Sequence, residues 1–536
     1  MLNALDWGIV AAYFAAVFVV AFVVTRTRRT RASSQEYFLA GRHTGWFVIG
    51  ASLFASNIGS EHLVGLAGTG AASGVAVGQF EVLASLILLL LGWVFVPFYL
   101  RSGVFTMPEF LERRYSGGAR SYLAGISILG YVLTKISVTI YAGGIVFQAL
   151  MGIDFWTGAL VVVVATGIYT VFGGLRAVLY TDLLQMFVLV GGAVVVTVIG
   201  LGQVGGWNEL RAAAGPGFFT LWKPLTDPDF PWTGIVFGAP ILGVWYWCTD
   251  QFIVQRVLAA PNVEEARRGA VFAGFLKLLP LFIFVIPGVV AYVLAQSGRI
   301  SLSEPDQALP TLVGALLPAG LRGLVVAGLL AALMSSLSSV FNSCSTLVTW
   351  DIYRKLRPAA SERRLVLVGQ VVTAGLVVLG LLWIPFMKNI SGRLYQYMQS
   401  VQAYISPPIA AVFLLGVAWK RLNAAGAMAS LLSGFVLGMA RLGLELGKGA
   451  LPEGILLAYA EMNFLHFAIL LFVICSVVLA GVSLLTPPQS RSQVEGLTFQ
   501  TLTAEARPAA PLARRPSFWL SLLLALCVGA VWIYFR

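Results

Sequence analysis

Charge is scarce in this 536-residue chain: Asp, Glu, Lys and Arg together make up 11% of it, less than half the roughly 25% of ordinary soluble domains. With 58% of residues hydrophobic, a soluble fold of this length has no polar shell to cover its apolar surface. Cysteine is equally sparse. The four present, Cys248, Cys344, Cys475 and Cys527, lie in or beside apolar segments without CxxC spacing, which excludes a disulfide framework and a metal knuckle. No soluble domain, metal-ligand spacing or nucleophile motif points to an enzyme. The formal net charge is +12, yet the cations fall in short clusters between apolar runs. Topology, and not a nucleic acid, accounts for them.

What the chain does have is apolar runs of spanning length. Fourteen can be read, near 5–24, 46–71, 79–100, 121–150, 156–173, 177–202, 233–256, 269–296, 319–347, 365–386, 394–418, 424–446, 463–486 and 517–535; about 20 apolar residues cross a ~30 Å hydrocarbon layer as a helix. The expected fold class is an all-α polytopic membrane protein. The first run, Leu2 to Val24, precedes Arg26, Arg28, Arg29 and Arg31, the reverse of a signal peptide's order, and reads as a retained span. The Lys/Arg bias sets orientation. With the N-terminus outside, the cytoplasmic loops carry that cluster, then Arg113, Arg114 and Arg120, then Arg256, Arg267 and Arg268, then Arg354 to Arg364, and finally Arg491 to Arg515. An even number of spans returns the C-terminus to the outside of a cell membrane.

Two runs are interrupted. Segment 46–71 holds Gly50, Gly59, Gly65, Gly68 and Gly70 around the polar run Ser52 to His62, and segment 233–256 holds Pro240, Gly243 and a polar stretch ending in Thr249 and Asp250. Unwound backbone at membrane depth is tolerated only where it lines a cavity, and paired broken helices in two halves mark a transporter's binding site. The halves are 46–202 and 233–418, five spans each and therefore oppositely inserted. Around them lie an extra helix and basic loop over 1–45 and an extracellular loop over 203–232. Three extra helices follow over 419–536, with a Pro-rich, flexible cytoplasmic loop at 487–516.

The strings SLFASNIGSEHLVGLAGTGAASG (52–74), TMPEFLERRY (106–115), YTDLLQ (180–185), WYWCTDQFIVQRVLAA (245–260), LMSSLSSVFNS (333–343) and SPPIAAVFLL (406–415) resemble the sodium/glucose cotransporters of the sodium:solute symporter family. They run in family order, within a likeness extending from about residue 5 to residue 485. The resemblance implies a leucine-transporter-type fold with inverted five-helix repeats and about 14 transmembrane helices. It also implies secondary active transport in which inward sodium flow drives uptake of a hexose such as glucose or galactose by alternating access. A sodium/myo-inositol or other polyol symporter is the alternative within the family. A sugar-gated sensor or channel that accumulates nothing is the alternative outside it. The partners implied are sodium, a small sugar or polyol and the lipid bilayer, with no obligatory protein partner.

Sodium is a hard ion that takes oxygen ligands; a broken helix frees carbonyls and serines add hydroxyls. Ala332, Ser335 and Ser336, at i, i+3 and i+4, share a helical face. By resemblance, the carbonyls of Ala55, Ile58 and Ala332 with the hydroxyls of Ser335 and Ser336 form the sodium site. Asp182 with Ser339, Ser56 and Ser338 matches a second sodium position of some relatives, although Thr181 and Asp182 also suit a helix cap.

A buried sugar needs a partner for each hydroxyl, at about 1–3 kcal/mol for each one left unpaired. By resemblance these partners are Asn57, His62, Glu81, Tyr246, Trp247, Lys277 and Gln399. Tyr246 is then both the apolar platform under the sugar ring and the inner gate, with Leu66, Phe80 and Tyr395 as the outer lid. The chain departs from the glucose members at Gly243, where many carry a polar side chain, at Gln396, often a carboxylate, and at Glu61, commonly Gly. Those departures leave the choice of sugar open, while Gln399, Lys277 and Glu81 favour a hexose.

Overall fold

The computed structural model describes residues 2–26, 33–387, 394–501, 511 and 514–536. All fourteen apolar segments are helical, and the described residues contain no β-strand, only an isolated bridge between Lys223 and Pro231. Among the described residues nine helical stretches are long and apolar enough to cross a membrane unaided. The other expected spans are interrupted or include undescribed positions. Nine helices position the site: α1 (Ala4–Arg26), α2 (Trp46–Asn57), α3 (Ser60–Ser73), α4 (Gln79–Leu90), α5 (Phe155–Val204), α6 (Gln251–Leu258), α7 (Val263–Leu276), α8 (Leu321–Leu347) and α9 (Leu394–Ala418).

Helix α8 is the core post, packed along α5 and against α1 and α2, with its spanning stretch 94% buried. Small residues let neighbouring backbones approach, and serine hydroxyls need not stay orphaned because they return to the helix itself. Ser335 and Ser338, for example, donate to the carbonyls three residues back, at 3.1 Å each. Its N-terminus is capped from another span, the Asp6 carboxylate of α1 accepting the N–H groups of Gly320 at 2.7 Å and Gly323 at 2.8 Å.

Both expected interruptions are present. Helix α2 stops at Asn57, Ile58 and Gly59 are extended, and α3 starts at Ser60. The second break falls at Asp250 (φ −76°, ψ 127°), between a π-helical turn over Val244–Thr249 and α6. The segments 156–173 and 177–202, expected as separate spans, are two helical halves of α5 that meet at a non-helical residue, Gly174 (φ 57°, ψ −158°). A Cβ there would meet the Tyr37 carbonyl oxygen at 2.6 Å, so glycine supplies both the bend and the clearance.

Several cations expected on the connecting segments are buried. Arg114 donates to the carbonyls of Gly416, Trp419 and Leu422, closing the C-terminal end of α9. Arg120 pairs with Glu112 and, at 2.6 Å, with Asp351, and Arg256 is fully buried. In each case fixed carbonyls or carboxylates replace the hydration shell, which a count of charges between hydrophobic runs does not register. The expected loop over 487–516 is also more ordered at its start than its composition suggests. Gln489 bonds to Tyr115 and Arg114, and Val494, Leu497 and Thr498 are buried.

Candidate functional site

The end of α2 accounts for its own last carbonyls in an informative way. A helix terminus leaves up to four carbonyls without intrahelical donors. Here Phe54 O accepts Ile58 N–H at 3.1 Å and Asn57 O accepts Gly59 N–H at 3.0 Å. The two between them turn to α8: Ala55 O accepts the Ser335 hydroxyl at 2.8 Å, and Ser56 O accepts the Ser336 hydroxyl at 3.3 Å. Ser335 also reaches Ala332 O, at 3.1 Å. Ala55, Ile58, Ala332, Ser335 and Ser336 are all buried, and Ile58 is the extended residue at the break itself. Ala55 O, Ala332 O and the hydroxyls of Ser335 and Ser336 therefore belong to one crossing of α2 over α8, with Ile58 at the adjoining break. They are neutral and sit at the negative end of the α2 dipole. Serine hydroxyls can rotate to present lone pairs, so such a set suits a hard monovalent cation.

One turn away, the Asp182 group has a different composition from the one expected. Asp182 accepts Ser52 at 2.5 Å and Ser56 at 3.0 Å, and Ser56 in turn accepts Ser339 at 3.0 Å. Ser338 is directed to its own helix, on Ser335 O. Into this cluster comes Arg256 of α6, donating to Ser52 at 3.1 Å, to Ser56 at 2.8 Å and to Ser339. Its guanidinium lies 3.8 Å from Asp182, and both side chains are wholly buried. A resident protein cation thus shares the carboxylate proposed for a second sodium. The signal was available in the sequence as an ionisable residue beside an apolar run, a pattern that marks function by default.

Beside the α2–α3 break lies a small, partly open cavity. Asn57, His62, Phe80, Glu81, Tyr246, Trp247, Lys277 and Gln399 all line it, with Lys135, Gly243, Met398 and Gln402. Lys277, which caps the end of α7, donates to Asn57 Oδ1 at 2.5 Å and pairs with Glu81 of α4. Asn57 Nδ2 donates to Tyr246 Oη at 3.0 Å. His62 Nδ1 accepts Gly59 N–H at 3.4 Å, which leaves Nε2 toward Glu81 at 4.0 Å. Tyr246 and Trp247 meet edge to face, with ring centroids 5.1 Å apart, and the Lys277 ammonium is 5.3 Å from the Trp247 ring. A hydrated polyol entering here finds donors, acceptors and aromatic faces together.

Sequence reasoning missed Lys135 and Gln402. Gln402 follows Gln399 by three residues on α9 and so shares its face. Of the expected lid, Phe80 lines the cavity and packs on Phe230 and Phe464. Leu66 does not line it, being fully buried within the packed face of α3. The side chains of Tyr395, Gln396 and Glu61 lie outside the described residues. Gly243 does shape the wall, since a Cβ there would lie 2.6 Å from Ile87 Cδ1.

Residues 37–434 match the profile of the sodium:solute symporter family. The chain belongs to this family. The symporter is 41% identical to sodium/glucose cotransporter 1 of Oryctolagus cuniculus, over 91% of this chain and 80% of the relative. It is 40% identical to the sodium/myo-inositol cotransporter of Bos taurus, over 93% and 76%. Among solved structures it resembles a substrate-bound, outward-open sodium-coupled sialic acid symporter, with a TM-score of 0.79 at 22% identity, covering 91% of this chain and 99% of that one. A closed nucleobase-cation-symport-1 family transporter aligns at a TM-score of 0.54 and 16% identity, over 87% and 99%. The fold is thus of the leucine-transporter type, as the family resemblance implied.

Proposed function

We propose that this symporter couples inward sodium flow to uptake of a hexose, with Ala55, Ile58, Ala332, Ser335 and Ser336 holding sodium. In this reading Asn57, His62, Glu81, Lys277 and Gln399 hold the sugar above Tyr246 and Trp247. One observation supports the reading: both candidate sites adjoin a single helix break. Ala55 O meets Ser335, and two residues on, Asn57 opens onto the cavity. Sodium bound at the crossing braces α2 against α8 and so orders the Asn57 amide for a sugar hydroxyl. The sodium-site ligands are all neutral oxygens, so the bound complex carries sodium's charge across the membrane.

The driving force is adequate. One charge moving through ~100 mV contributes about 2.3 kcal/mol, and a tenfold sodium gradient about 1.4 kcal/mol. Together they sustain a sugar gradient of several hundredfold for each sodium. A second sodium at Asp182, with Ser56 and Ser339, requires Arg256 to yield part of that carboxylate. The termini and the 203–232 loop face outward, with the Lys/Arg-rich connections in the cytoplasm of the cell in whose membrane it resides.

A polyol such as myo-inositol is the second reading. It is supported by the similar identity to relatives of both names and by a cavity whose polar groups suit any ring of hydroxyls. Uptake into proteoliposomes tests the whole proposal. Accumulation in a sodium gradient is expected and should vanish when choline replaces sodium; undiminished uptake in choline would end the coupling claim. Competition by glucose, galactose and myo-inositol against the labelled substrate then ranks the two classes. Substrate-evoked current without accumulation would instead indicate a sensor or channel.

A further inference from the structure

We propose that Lys135 is a positioning residue for the inner gate, its ammonium holding Tyr246 by a tie separate from that of Asn57. This rests on the transport reading above. Lys135 sits in a π-helical turn over Tyr131–Ile136, a local irregularity common at functional sites. It is 5% exposed and lines the cavity.

Tyr246 Oη accepts from Asn57 Nδ2 at 3.0 Å and from Lys135 Nζ at 3.4 Å. The same ammonium lies 5.0 Å from the Tyr246 ring centroid and 5.4 Å from that of Phe252, both within cation–π range. Tyr246 precedes the break at Asp250 and Phe252 follows it, so one charge holds rings from both halves of the interrupted helix. Tyr131, one turn before Lys135 and on the same helical face, adds to the clamp. Its hydroxyl donates to Asp250 and accepts Phe252 N–H at 3.1 Å. Packing alone does not call for an ammonium at this depth, where an aliphatic side chain of the same length fills the space without a desolvation cost.

The two ties on Tyr246 are not equivalent. Asn57 also accepts from Lys277, which is paired with Glu81, so the Asn57 tie belongs to the substrate-binding groups. A sugar hydroxyl that recruits the Asn57 amide releases that tie and leaves the one from Lys135. The Lys135 tie comes from a different helix, the π-helical turn over Tyr131–Ile136, and sets how far the gate stays shut before and during substrate binding. Lys135 therefore governs coupling, and its loss converts tight symport into a leaking cycle.

Cys248, two residues past Tyr246, is fully buried, with its thiol toward Ile87 O at 3.7 Å, and reports on this element. In a full-length chain carrying Cys344→Ala, Cys475→Ala and Cys527→Ala, Lys135→Met should raise the labelling rate of Cys248 by a membrane-permeant maleimide about tenfold in sodium without sugar. Lys135→Arg should restore slow labelling. Accumulation in a sodium gradient should fall in Lys135→Met while sugar counterflow persists. Unchanged labelling and accumulation in Lys135→Met would overturn the proposal, as would an arginine variant that behaves like the methionine one. Should Lys135→Met fail to reach the membrane, Tyr246→Phe removes the shared acceptor and must raise Cys248 labelling itself, a fall or no change overturning the idea. Sodium-dependent uptake by the unaltered chain is scored separately, so failure of the transport reading and failure of the gate assignment give different results.

Discussion

Arg256 and Asp182 face each other at 3.8 Å with no exposed atoms on either side chain, and three serine hydroxyls from α2 and α8 bond to the guanidinium between them. The pair ties α6, which follows the second helix break, to α2, α5 and α8. Removing one partner of a buried ion pair costs about 3–5 kcal/mol because the other charge is left stranded. Arg256→Met is therefore expected to lower the melting temperature in detergent sharply, and the double variant Arg256→Met/Asp182→Asn to regain most of the loss. A double variant no more stable than the single one would show that the two side chains are not energetically paired.

The crossing of α2 and α8 makes a prediction about sodium. Ser335→Ala removes the hydroxyl shared by Ala55 O and Ala332 O, leaving buried carbonyls short of a partner at about 1–3 kcal/mol. The sodium concentration for half-maximal uptake should rise at least tenfold, with a smaller rise for Ser336→Ala, whose bond to Ser56 O is the longer at 3.3 Å. Equal sodium dependence in wild type and Ser335→Ala would remove this crossing as the ion site.

In the cavity, Lys277 joins Asn57 to Glu81. Lys277→Met should abolish uptake by more than about a hundredfold, since Glu81 is left buried and unpaired and Asn57 loses its orientation. Glu81→Gln should be milder, because the amide oxygen still accepts from Lys277. Initial-rate kinetics of labelled sugar uptake in vesicles give the comparison, and a harsher Glu81→Gln would contradict the arrangement.

Gly243 tests substrate choice. Its missing side chain leaves room that a Cβ could take only by moving Ile87, 2.6 Å away. Gly243→Ser should weaken substrate binding about tenfold, and adding Ile87→Val, which clears Cδ1, should recover part of it. Sugar competition in the two variants measures the shift; identical competition profiles would place the substrate elsewhere in the cavity.

Away from the spans, Glu112 bridges Arg120 and Lys355. Partial burial opposes its ionisation, but hydrogen bonds from Lys355 and Arg120 prevail and hold its carboxyl below the usual glutamate range. A depressed carboxylate stabilises the fold above its unfolded pKa and loses that contribution as pH falls through the folded value. Stability should thus drop below about pH 4.5, with Glu112→Gln flattening that part of the melting profile against pH.

Much of the architecture was legible in the chain because membrane physics leaves few choices. Runs of about 20 apolar residues must be helices, and Gly- or polar-rich interruptions at their centres must line a cavity. That logic located both breaks, Ile58–Gly59 and Asp250, and likeness of sequence indicated Ser335, Asn57, Glu81 and Lys277, which the fold brings together. What the chain could not disclose were relations between distant residues. Arg256 read as a loop cation because hydropathy sees its neighbours in sequence and not Asp182, 74 positions earlier. Lys135 and Gln402 stood out only as polar residues within apolar runs, with nothing in sequence to join them to the cavity. Whether a buried charge is tolerable depends on partners that only packed helices supply, and those partners, not the residue itself, determine whether it serves as topology, structure or gate.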